Sequence, residues 1–332
     1  MVNVAFWPNI SDLRVASFRI RTLRVITELK NFGIDAGIFS KGMKPQTLVV
    51  SKRYDECTFN LCSELVSSGT RLIVDLCDNH FYFSDNEGQL LLRANALRKL
   101  CKISDAVVVP SRYLKSVVLN EVGVGTKVFI IDDFVNNDGI LDGGLGIITK
   151  LRLGGYKRQV KSFGAPLTKL IWYGNYGSPG VSGGMEDILL IKEQLNNLSQ
   201  NENLLLTIVS NNKSKYKEVA NQLNVDSIYF EWDPISIKEI MSMQDVCIVP
   251  AGLNPFTKSK SSNRATYALR FGVPVVSDEI PSYADNSDLG IYCGSLVKDL
   301  VGMVKTARES EVDFDCKAFD RNVFESWIRV LS

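Results

Sequence analysis

The sequence has one histidine, no run of 18 apolar residues and almost no net charge. Lysine and arginine number 38 and aspartate and glutamate 37, so the net charge is +1. A chain so nearly neutral has no overall field that would attract nucleic acid or a strongly acidic partner. The missing apolar run argues against a membrane-spanning helix. What remains is the composition of an ordinary globular protein, with 45% hydrophobic residues.

The cysteines give no sign of a disulfide framework. There are seven, an odd number, and they are scattered mostly through apolar runs. Cys57 and Cys62 have no cysteine or histidine partner at zinc-site spacing, so we expect reduced thiols and no metal. The chain begins with a strand-like segment in place of a charged lead and a long apolar core, so we expect no signal peptide. The predicted location is cytoplasmic, with a peripheral place at the inner face of the cell membrane as an option.

Short apolar runs alternate with helical patterns along nearly the whole chain. Such alternation predicts parallel sheets covered by helices on both faces, and 332 residues exceed one usual core. The predicted fold is α/β, with two tandem Rossmann-like, doubly wound parallel-sheet domains facing a cleft. The predicted parts are a first Rossmann-like domain (1–137), a linker (138–166), a second Rossmann-like domain (167–312) and a C-terminal helix (313–332) that has the option of packing back on the first domain.

The linker is rich in glycine and basic residues. Seven glycines lie between residues 138 and 164, and residues 150–161 hold five basic residues and no acidic one. We expect at most one short helix there. Its charge fits either a solvated connector or a patch that touches an anionic membrane surface or an acidic glycan.

Residues 245–283 read as strand, polar loop, helix and strand, and the loop suits an anion. A helix predicted over residues 265–271 would present unpaired backbone N–H groups at its start. Basic, hydroxyl and amide side chains come directly before it: Lys258, Lys260, Ser261, Ser262, Asn263 and Arg264. An arginine can fork two phosphate oxygens and a lysine can act as a point charge. We therefore predict a site for a nucleoside diphosphate.

Several motifs stand at the ends of the predicted strands: ASFRIR, VDLCDNHF and SDAVVVPSRYL in the first half, and IWYGNYG, FEWDP, DVCIVPA and NRATYALRFGVPVVSDEIPSY in the second. Together they resemble glycosyltransferases with the GT-B fold, nearest the bacterial family-four-like group, and the resemblance covers nearly the whole chain. It implies that residues 1–137 form the acceptor-side domain and residues 167–312 the nucleotide-sugar donor domain. One feature departs from the family. It has two glutamates eight positions apart, where this chain has Ser259 and Tyr267.

The resemblance implies further contacts to the donor. Gly174, Asn175 and Gly177 form a glycine loop where the donor or acceptor approaches the backbone, although such a loop is also an ordinary turn. Trp232 lies where the family packs the nucleoside base, with a half-buried edge aromatic as the alternative. Ser277 and Glu279 lie where ribose or sugar hydroxyls bind, with a loop cap as the alternative.

The acceptor side is expected after the strand at residues 72–76. Asp78 and His80 are the candidate bases if the reaction inverts configuration, because a base needs a pKa near the working pH. If it retains configuration, they only position the acceptor, and His80 has a purely structural role as a further alternative. Arg19 and Asn79 are the predicted acceptor contacts, whereas Arg21 or Arg24 is expected on the solvent face.

The resemblance implies a glycosyltransferase that moves a sugar from a nucleotide-sugar donor to a glycan or lipid-linked glycan, in bacterial surface polysaccharide synthesis. Fixed cations would replace a metal ion, since Asp313 and Asp315 lie between the last two predicted helices, where we expect surface acids. No cofactor and no nucleic acid are expected. One alternative is a catalytically inactive GT-B module that binds glycan or a partner, which the missing glutamates favour. A nucleotide-sugar epimerase is another, which the single histidine disfavours.

Overall fold

The computed structural model describes residues 3–82, 88–135, 146–177 and 183–332. The chain divides into two compact units. Unit 1 comprises Met1–Ile140, Lys258–Asn263 and Lys317–Ser332, and unit 2 comprises Leu141–Thr257 and Arg264–Cys316. Each unit is built around its own parallel sheet.

The sheet of unit 1 has six parallel strands: β1 (Val4–Pro8), β2 (Ala36–Ile38), β3 (Thr47–Ser51), β4 (Arg71–Asp75), β5 (Ala106–Val109) and β6 (Val128–Ile130). Their order across the sheet is β2-β1-β3-β4-β5-β6. Side chains alternate between two apolar cores, so that Leu48 and Val50 enter one core and Val49 the other. The sheet is therefore buried on both faces, as its continuous apolar runs require.

The helices of this part of the chain are a π-helix (Phe18–Leu23), α1 (Arg24–Asn31), α2 (Glu56–Ser67), α3 (Gly88–Ile103) and α4 (Arg112–Val122). Two of them begin at residues that cap a free backbone N–H group. Asp55 accepts a hydrogen bond from the Thr58 backbone at 2.8 Å, and Ser111 accepts one from Leu114 at 3.2 Å. These caps fix the points at which the chain leaves the preceding strands.

The sheet of unit 2 also has six parallel strands: β7 (Leu167–Tyr173), β8 (Asn203–Ser210), β9 (Asp226–Glu231), β10 (Val246–Val249), β11 (Val275–Ser277) and β12 (Ile291–Cys293). Their order is β12-β11-β10-β7-β8-β9. Trp172 and Tyr173, at the end of β7, enter opposite cores.

The remaining helices are α5 (Ile147–Ser162), a 3₁₀ helix (Met185–Ile191), α6 (Lys192–Asn201), α7 (Lys213–Ala220), α8 (Ser236–Met241), α9 (Pro255–Lys258), α10 (Asn263–Leu269), α11 (Pro281–Ala284), a second 3₁₀ helix (Ser287–Leu289), α12 (Leu296–Arg308) and α13 (Cys316–Leu331). Helix α13 packs on unit 1, where Trp327 meets Phe6 with ring centroids 6.1 Å apart. Asp320 on this helix accepts a hydrogen bond from the Val135 backbone at 2.7 Å.

Helix α5 is longer than the sequence predicts for the glycine-rich region. It runs for 16 residues and buries Leu153 and Tyr156 in a core of unit 2. The Tyr156 hydroxyl lies 3.0 Å from Thr207 Oγ1 and accepts a hydrogen bond from Gln244 at 2.7 Å. Glycine disfavours a helix by about 1 kcal/mol per residue, but packing of one apolar face outweighs that cost.

The strand orders belong to the two common doubly wound topologies, in which ligands bind beyond the carboxyl ends of strands where the order reverses. That point lies between β1 and β3 in unit 1 and between β7 and β10 in unit 2. The predicted fold class, two Rossmann-like parallel-sheet domains, is confirmed. Throughout the described ranges, the helices are too short or too polar to cross a bilayer.

Candidate functional site

Arg264 lies over the carboxyl end of β7, next to the point where the strand order of unit 2 reverses. Its Nη1 atom donates a hydrogen bond to the carbonyl oxygen of Tyr173 at 3.3 Å. The Tyr173 hydroxyl in turn donates to the carbonyl oxygen of Arg264 at 2.5 Å. The guanidinium also donates to the hydroxyl of Tyr283. The arginine side chain is thus held in place by two tyrosines.

Gly174 allows this approach. A Cβ atom at position 174 would lie 3.1 Å from Arg264 Nη1 and 3.5 Å from the ring of Trp172. Nearly all real Cβ contacts are longer than the first of these distances. The structure therefore brings together two of the predicted donor-site residues, Gly174 and Arg264.

The hydrogen-bond partners of Arg264 are uncharged. Within the ranges that the structure describes, no carboxylate forms an ion pair with this guanidinium. The side chain is half-buried. A half-buried cation that lacks an anionic partner can bind the oxygens of a phosphate group strongly.

Two aspartates that the sequence analysis missed shape the loop after β10. Asp187 accepts a hydrogen bond from the Gly252 backbone at 3.2 Å, and Asp278 accepts one from Ala251 at 2.9 Å and one from Leu296 at 3.0 Å. Burial raises the pKa of both carboxyl groups, although the backbone donors oppose this. The position of Asp278, directly after β11, was the available signal in the sequence.

Ser277 and Glu279 flank this aspartate and differ in exposure. Ser277 is fully buried, and its hydroxyl donates to the carbonyl oxygen of Asp278 at 2.9 Å. Glu279 is exposed. The exposed carboxylate of Glu279 can reach a ligand hydroxyl as it stands, whereas the Ser277 side chain would first have to give up its buried position.

The glycine loop follows β7 and Trp232 follows β9, two strands that β8 separates in the sheet. Asn175 is exposed, and its side-chain oxygen accepts a hydrogen bond from the Gly177 backbone at 3.3 Å. Trp232 follows β9, is half-buried and packs against a core of unit 2. The turn made by Asn175 and Gly177 agrees with the alternative of an ordinary turn.

The predicted phosphate cluster divides between the two units. Lys258–Asn263 belong to unit 1, and Arg264 belongs to unit 2. Lys260 Nζ lies 2.6 Å from Asp78 Oδ1, and the Ser261 hydroxyl donates to Asp133 at 2.6 Å. Ser262 is buried, and Lys258 and Asn263 are half-buried. The charge of Lys260 is therefore already balanced in this structure.

Asp78 is held by two lysines. Its Oδ1 atom lies 2.6 Å from Lys260 Nζ, and its Oδ2 atom lies 2.6 Å from Lys52 Nζ. Burial by itself would raise the pKa of Asp78, but the two ammonium groups outweigh it and hold the pKa well below its usual range. A carboxylate with so low a pKa is a weak proton acceptor at neutral pH.

His80 packs against Tyr54, with ring centroids 5.4 Å apart. Its Nε2 atom is buried and has no hydrogen-bond partner among the described residues. Burial lowers the pKa of His80 to about 3, although the charge of Asp78 opposes the shift. The imidazole is therefore neutral at pH 7 and is also a weak base. The catalytic roles of Asp78 and His80 remain predictions.

The predicted acceptor contacts are buried within unit 1. Arg19 donates a hydrogen bond to the carbonyl oxygen of Leu13 at 2.7 Å and is 7% exposed. Asn79 is 3% exposed, and its side-chain oxygen accepts a hydrogen bond from Phe81 at 3.2 Å. Both side chains thus order neighbouring backbone, and their contact with an acceptor remains a prediction.

The expectation that Arg21 or Arg24 lies on the solvent face is wrong for Arg21, and the Arg24 side chain is 14% exposed. The Arg21 side chain is 2% exposed and lies between Asp75, at 2.7 Å, and Asp133, at 2.8 Å. The expectation assumed α-helical spacing, whereas this turn is a π-helix in which residues 18–22 are all buried. A π-helix turn is often found at a functional site.

No family model and no curated protein sequence matches this chain. Solved structures are similar in fold. A glycosyltransferase from Rickettsia africae shares 12% identity with a TM-score of 0.62, covering 99% of this chain and 97% of its own. Anabaena Alr3699/HepE, in complex with UDP and glucose, shares 11% identity with a TM-score of 0.62, covering 99% and 100%. An α,α-trehalose-phosphate synthase (UDP-forming) from Burkholderia vietnamiensis shares 11% identity with a TM-score of 0.54, covering 86% and 71%.

These likenesses show a common fold. The chain has the GT-B fold, in which two Rossmann-like domains are joined in one polypeptide. At such low identity the fold alone is shared, so function has to be argued from the residues of this chain.

Proposed function

We propose that this protein is a glycosyltransferase that uses a nucleotide-sugar donor. The observation that carries the proposal is Arg264, a half-buried cation without a carboxylate partner in the described ranges, held beside Gly174 where the strand order of unit 2 reverses. A nucleoside diphosphate fits such a place, because its phosphates need a fixed cation and close approach to the backbone. The shared fold with structures named as glycosyltransferases supports the same reaction.

In this reaction, negative charge grows on the leaving diphosphate as the bond to the sugar breaks. A preorganised guanidinium stabilises that charge more in the transition state than in the ground state. We propose that Arg264 supplies this stabilisation and that no metal ion is required. The D-x-D pair, Asp313 and Asp315, is exposed. It lies between α12 and α13 and therefore does not follow a strand of the sheet. Activity should survive EDTA, and strict dependence on a divalent ion would contradict this part of the proposal.

We propose that transfer occurs with retention of configuration. Inversion needs a base to accept the proton of the acceptor hydroxyl. Asp78, the first candidate, has lysine amines at 2.6 Å from both oxygens, and His80 is a weak base. Retention places no such demand on a side chain. The anomeric configuration of the product, read by NMR, checks this, and an inverted product would contradict it.

For the acceptor, we propose a glycan or a lipid-linked glycan, used in bacterial surface polysaccharide synthesis. This part rests on the motif resemblance, since the described residues include no contact that selects one acceptor. It is checked by testing glycan and lipid-linked glycan acceptors side by side.

A thermal-shift screen tests the donor proposal. Nucleoside mono- and diphosphates with several bases are added to the full chain, and at least one diphosphate should raise Tm, because a ligand that binds only the folded state stabilises it. Acceptor-dependent release of nucleoside diphosphate from the matching nucleotide sugar should follow. If no nucleotide raises Tm, donor binding is wrong. If binding occurs without turnover, the chain is an inactive module, and acceptor-free turnover would instead indicate an epimerase.

A further inference from the structure

Helix α5 presents an unusual outer face. Its inner face buries Leu153 and Tyr156 in unit 2. At roughly 100° per residue, the opposite face begins with Ile147 and Leu151, which are 79% and 69% exposed. The two side chains lie one turn apart and form an apolar patch with polar residues around it, which is a kind of surface that interaction sites use.

The same outer face carries only positive charge. Four exposed cations share it, within a sector of roughly 140° that also holds Ile147 and Leu151: Lys150, Lys157, Arg158 and Lys161. No acidic residue occurs anywhere in the helix. The outer face therefore combines an apolar end with cations spread over about 16 Å of the helix, with Lys150 at the apolar end and the other three in the second half.

We propose that the outer face of α5 binds the surface of an anionic lipid bilayer. Ile147 and Leu151 would enter the boundary between headgroups and acyl chains, and the four cations would lie at the lipid phosphates. Helices at a membrane surface use these two residue types, with apolar side chains in the boundary between headgroups and acyl chains and lysine or arginine at the polar edge. Anionic lipid attracts each nearby lysine or arginine, whereas it would repel an acidic side chain.

This inference does not rest on the proposed function. A protein with any activity could dock in this way, and the binding measured below needs neither donor nor acceptor. If the chain is also a glycosyltransferase, docking through α5 would bring it to a lipid-linked acceptor.

Vesicle co-sedimentation of the full chain provides the test. Vesicles of phosphatidylglycerol and phosphatidylcholine should bind the protein at low salt, whereas pure phosphatidylcholine should bind it at least tenfold less. Raising the salt to about 0.5 M should weaken binding, because screening shortens the reach of the cations. Failure of the wild-type chain to bind anionic vesicles at low salt overturns the proposal.

A charge-neutral variant locates the binding surface. This variant removes four charges and keeps good helix formers. It combines Lys150→Gln, Lys157→Gln, Arg158→Gln and Lys161→Gln. Each cation adds roughly fivefold to the partition coefficient, so the variant should bind at least a hundredfold more weakly. The control removes the same charge at four exposed lysines of unit 2 outside α5, again with glutamine: Lys213, Lys217, Lys298 and Lys305. An equal loss in both variants means that net charge alone drives binding, and it overturns the assignment to α5.

A second pair of variants tests the apolar end. Ile147→Ser with Leu151→Ser should weaken vesicle binding at least tenfold, because both side chains lose their place in the interface. The control is Leu92→Ser with Val124→Ser, whose side chains are similarly exposed, at 70% and 91%. Unchanged binding of the first pair overturns insertion. If the wild-type chain forms a dimer and does not bind vesicles, and the α5 variants abolish the dimer, the outer face binds a second copy of the chain instead.

Discussion

The carboxyl edges of the two sheets balance their charges in different ways. In unit 1, Arg21 lies between Asp75 and Asp133, with all three side chains buried. Close by in the sequence, Asp78 lies between two lysine amines. Each charged side chain in these groups has a partner of opposite charge, so these charges are already balanced within the protein.

Unit 2 carries a cation and two aspartates that do not pair in this way. Arg264 donates hydrogen bonds to a carbonyl oxygen and a tyrosine hydroxyl. Asp187 and Asp278 accept hydrogen bonds from backbone N–H groups. Removing one partner from a buried ion group destabilises the fold, whereas a cation that no carboxylate contacts remains available to a ligand. We therefore expect Arg21 in unit 1 to stabilise the fold and Arg264 in unit 2 to bind a ligand.

The largest effect is expected for Arg21→Met. Removing the guanidinium leaves two buried carboxylates without their cation, which costs about 3–5 kcal/mol of unfolding free energy. Urea unfolding measures this loss. Arg14→Met is the control, because Arg14 pairs with Asp12 through a side chain that is 81% exposed, and the loss of such a surface ion pair should change the free energy of unfolding far less. Similar small losses in both variants would show that the buried ion group does not stabilise unit 1.

A smaller effect concerns His80, the member of the unit 1 edge whose Nε2 atom lacks a partner in the described ranges. Its folded pKa is about 3 and the reference value is 6.5, so the unfolded chain takes up a proton first as pH falls. Stability is full above about pH 6.5 and declines toward pH 3. Wild type should lose up to about 2 kcal/mol between pH 7 and pH 5, more than His80→Phe does. Thermal melts of both proteins at the two pH values measure this, and parallel losses would contradict it.

The smallest effect is expected for Gly174→Ala. The added methyl group would meet Arg264 Nη1 at 3.1 Å, so the guanidinium must shift. Affinity for nucleoside diphosphate should fall roughly tenfold, or about 1.4 kcal/mol, as titration calorimetry would show. Gly125→Ala is the matched control, because a Cβ atom there meets nothing within 4 Å. Equal affinities of the two variants would show that the ligand does not bind beside Gly174.

The strands were predictable because a parallel sheet buried on both faces leaves continuous apolar runs, such as those of β5 and β10. Helix α5 was harder, since two glycines and five cations hide the single face that Leu153 and Tyr156 bury. Its extent depends on packing, which local propensity does not contain.

The charge pairing could not be predicted. Lys260 and Asp78 are 182 positions apart, and no spacing rule links residues that meet only through the fold. The sequence showed a basic cluster from Lys258 to Arg264, but not that Lys260 is balanced by Asp78 while Arg264 has uncharged partners. Arg21 was misplaced because its π-helix turn does not follow α-helical spacing.

The most direct test of the central claim compares Arg264→Gln with wild type for binding of the nucleoside diphosphate that stabilises the protein most. Loss of a charge-assisted hydrogen bond costs about 1.5–3 kcal/mol, so Kd should rise about 10- to 150-fold. The Tm of the ligand-free variant should stay within a few degrees of wild type, because no carboxylate in the described ranges is hydrogen-bonded to this guanidinium. Asp187, whose charged form Arg264 favours, keeps its backbone donors. Lys298→Gln, which removes an exposed cation of unit 2, should leave Kd unchanged. An unchanged Kd in Arg264→Gln would contradict the account.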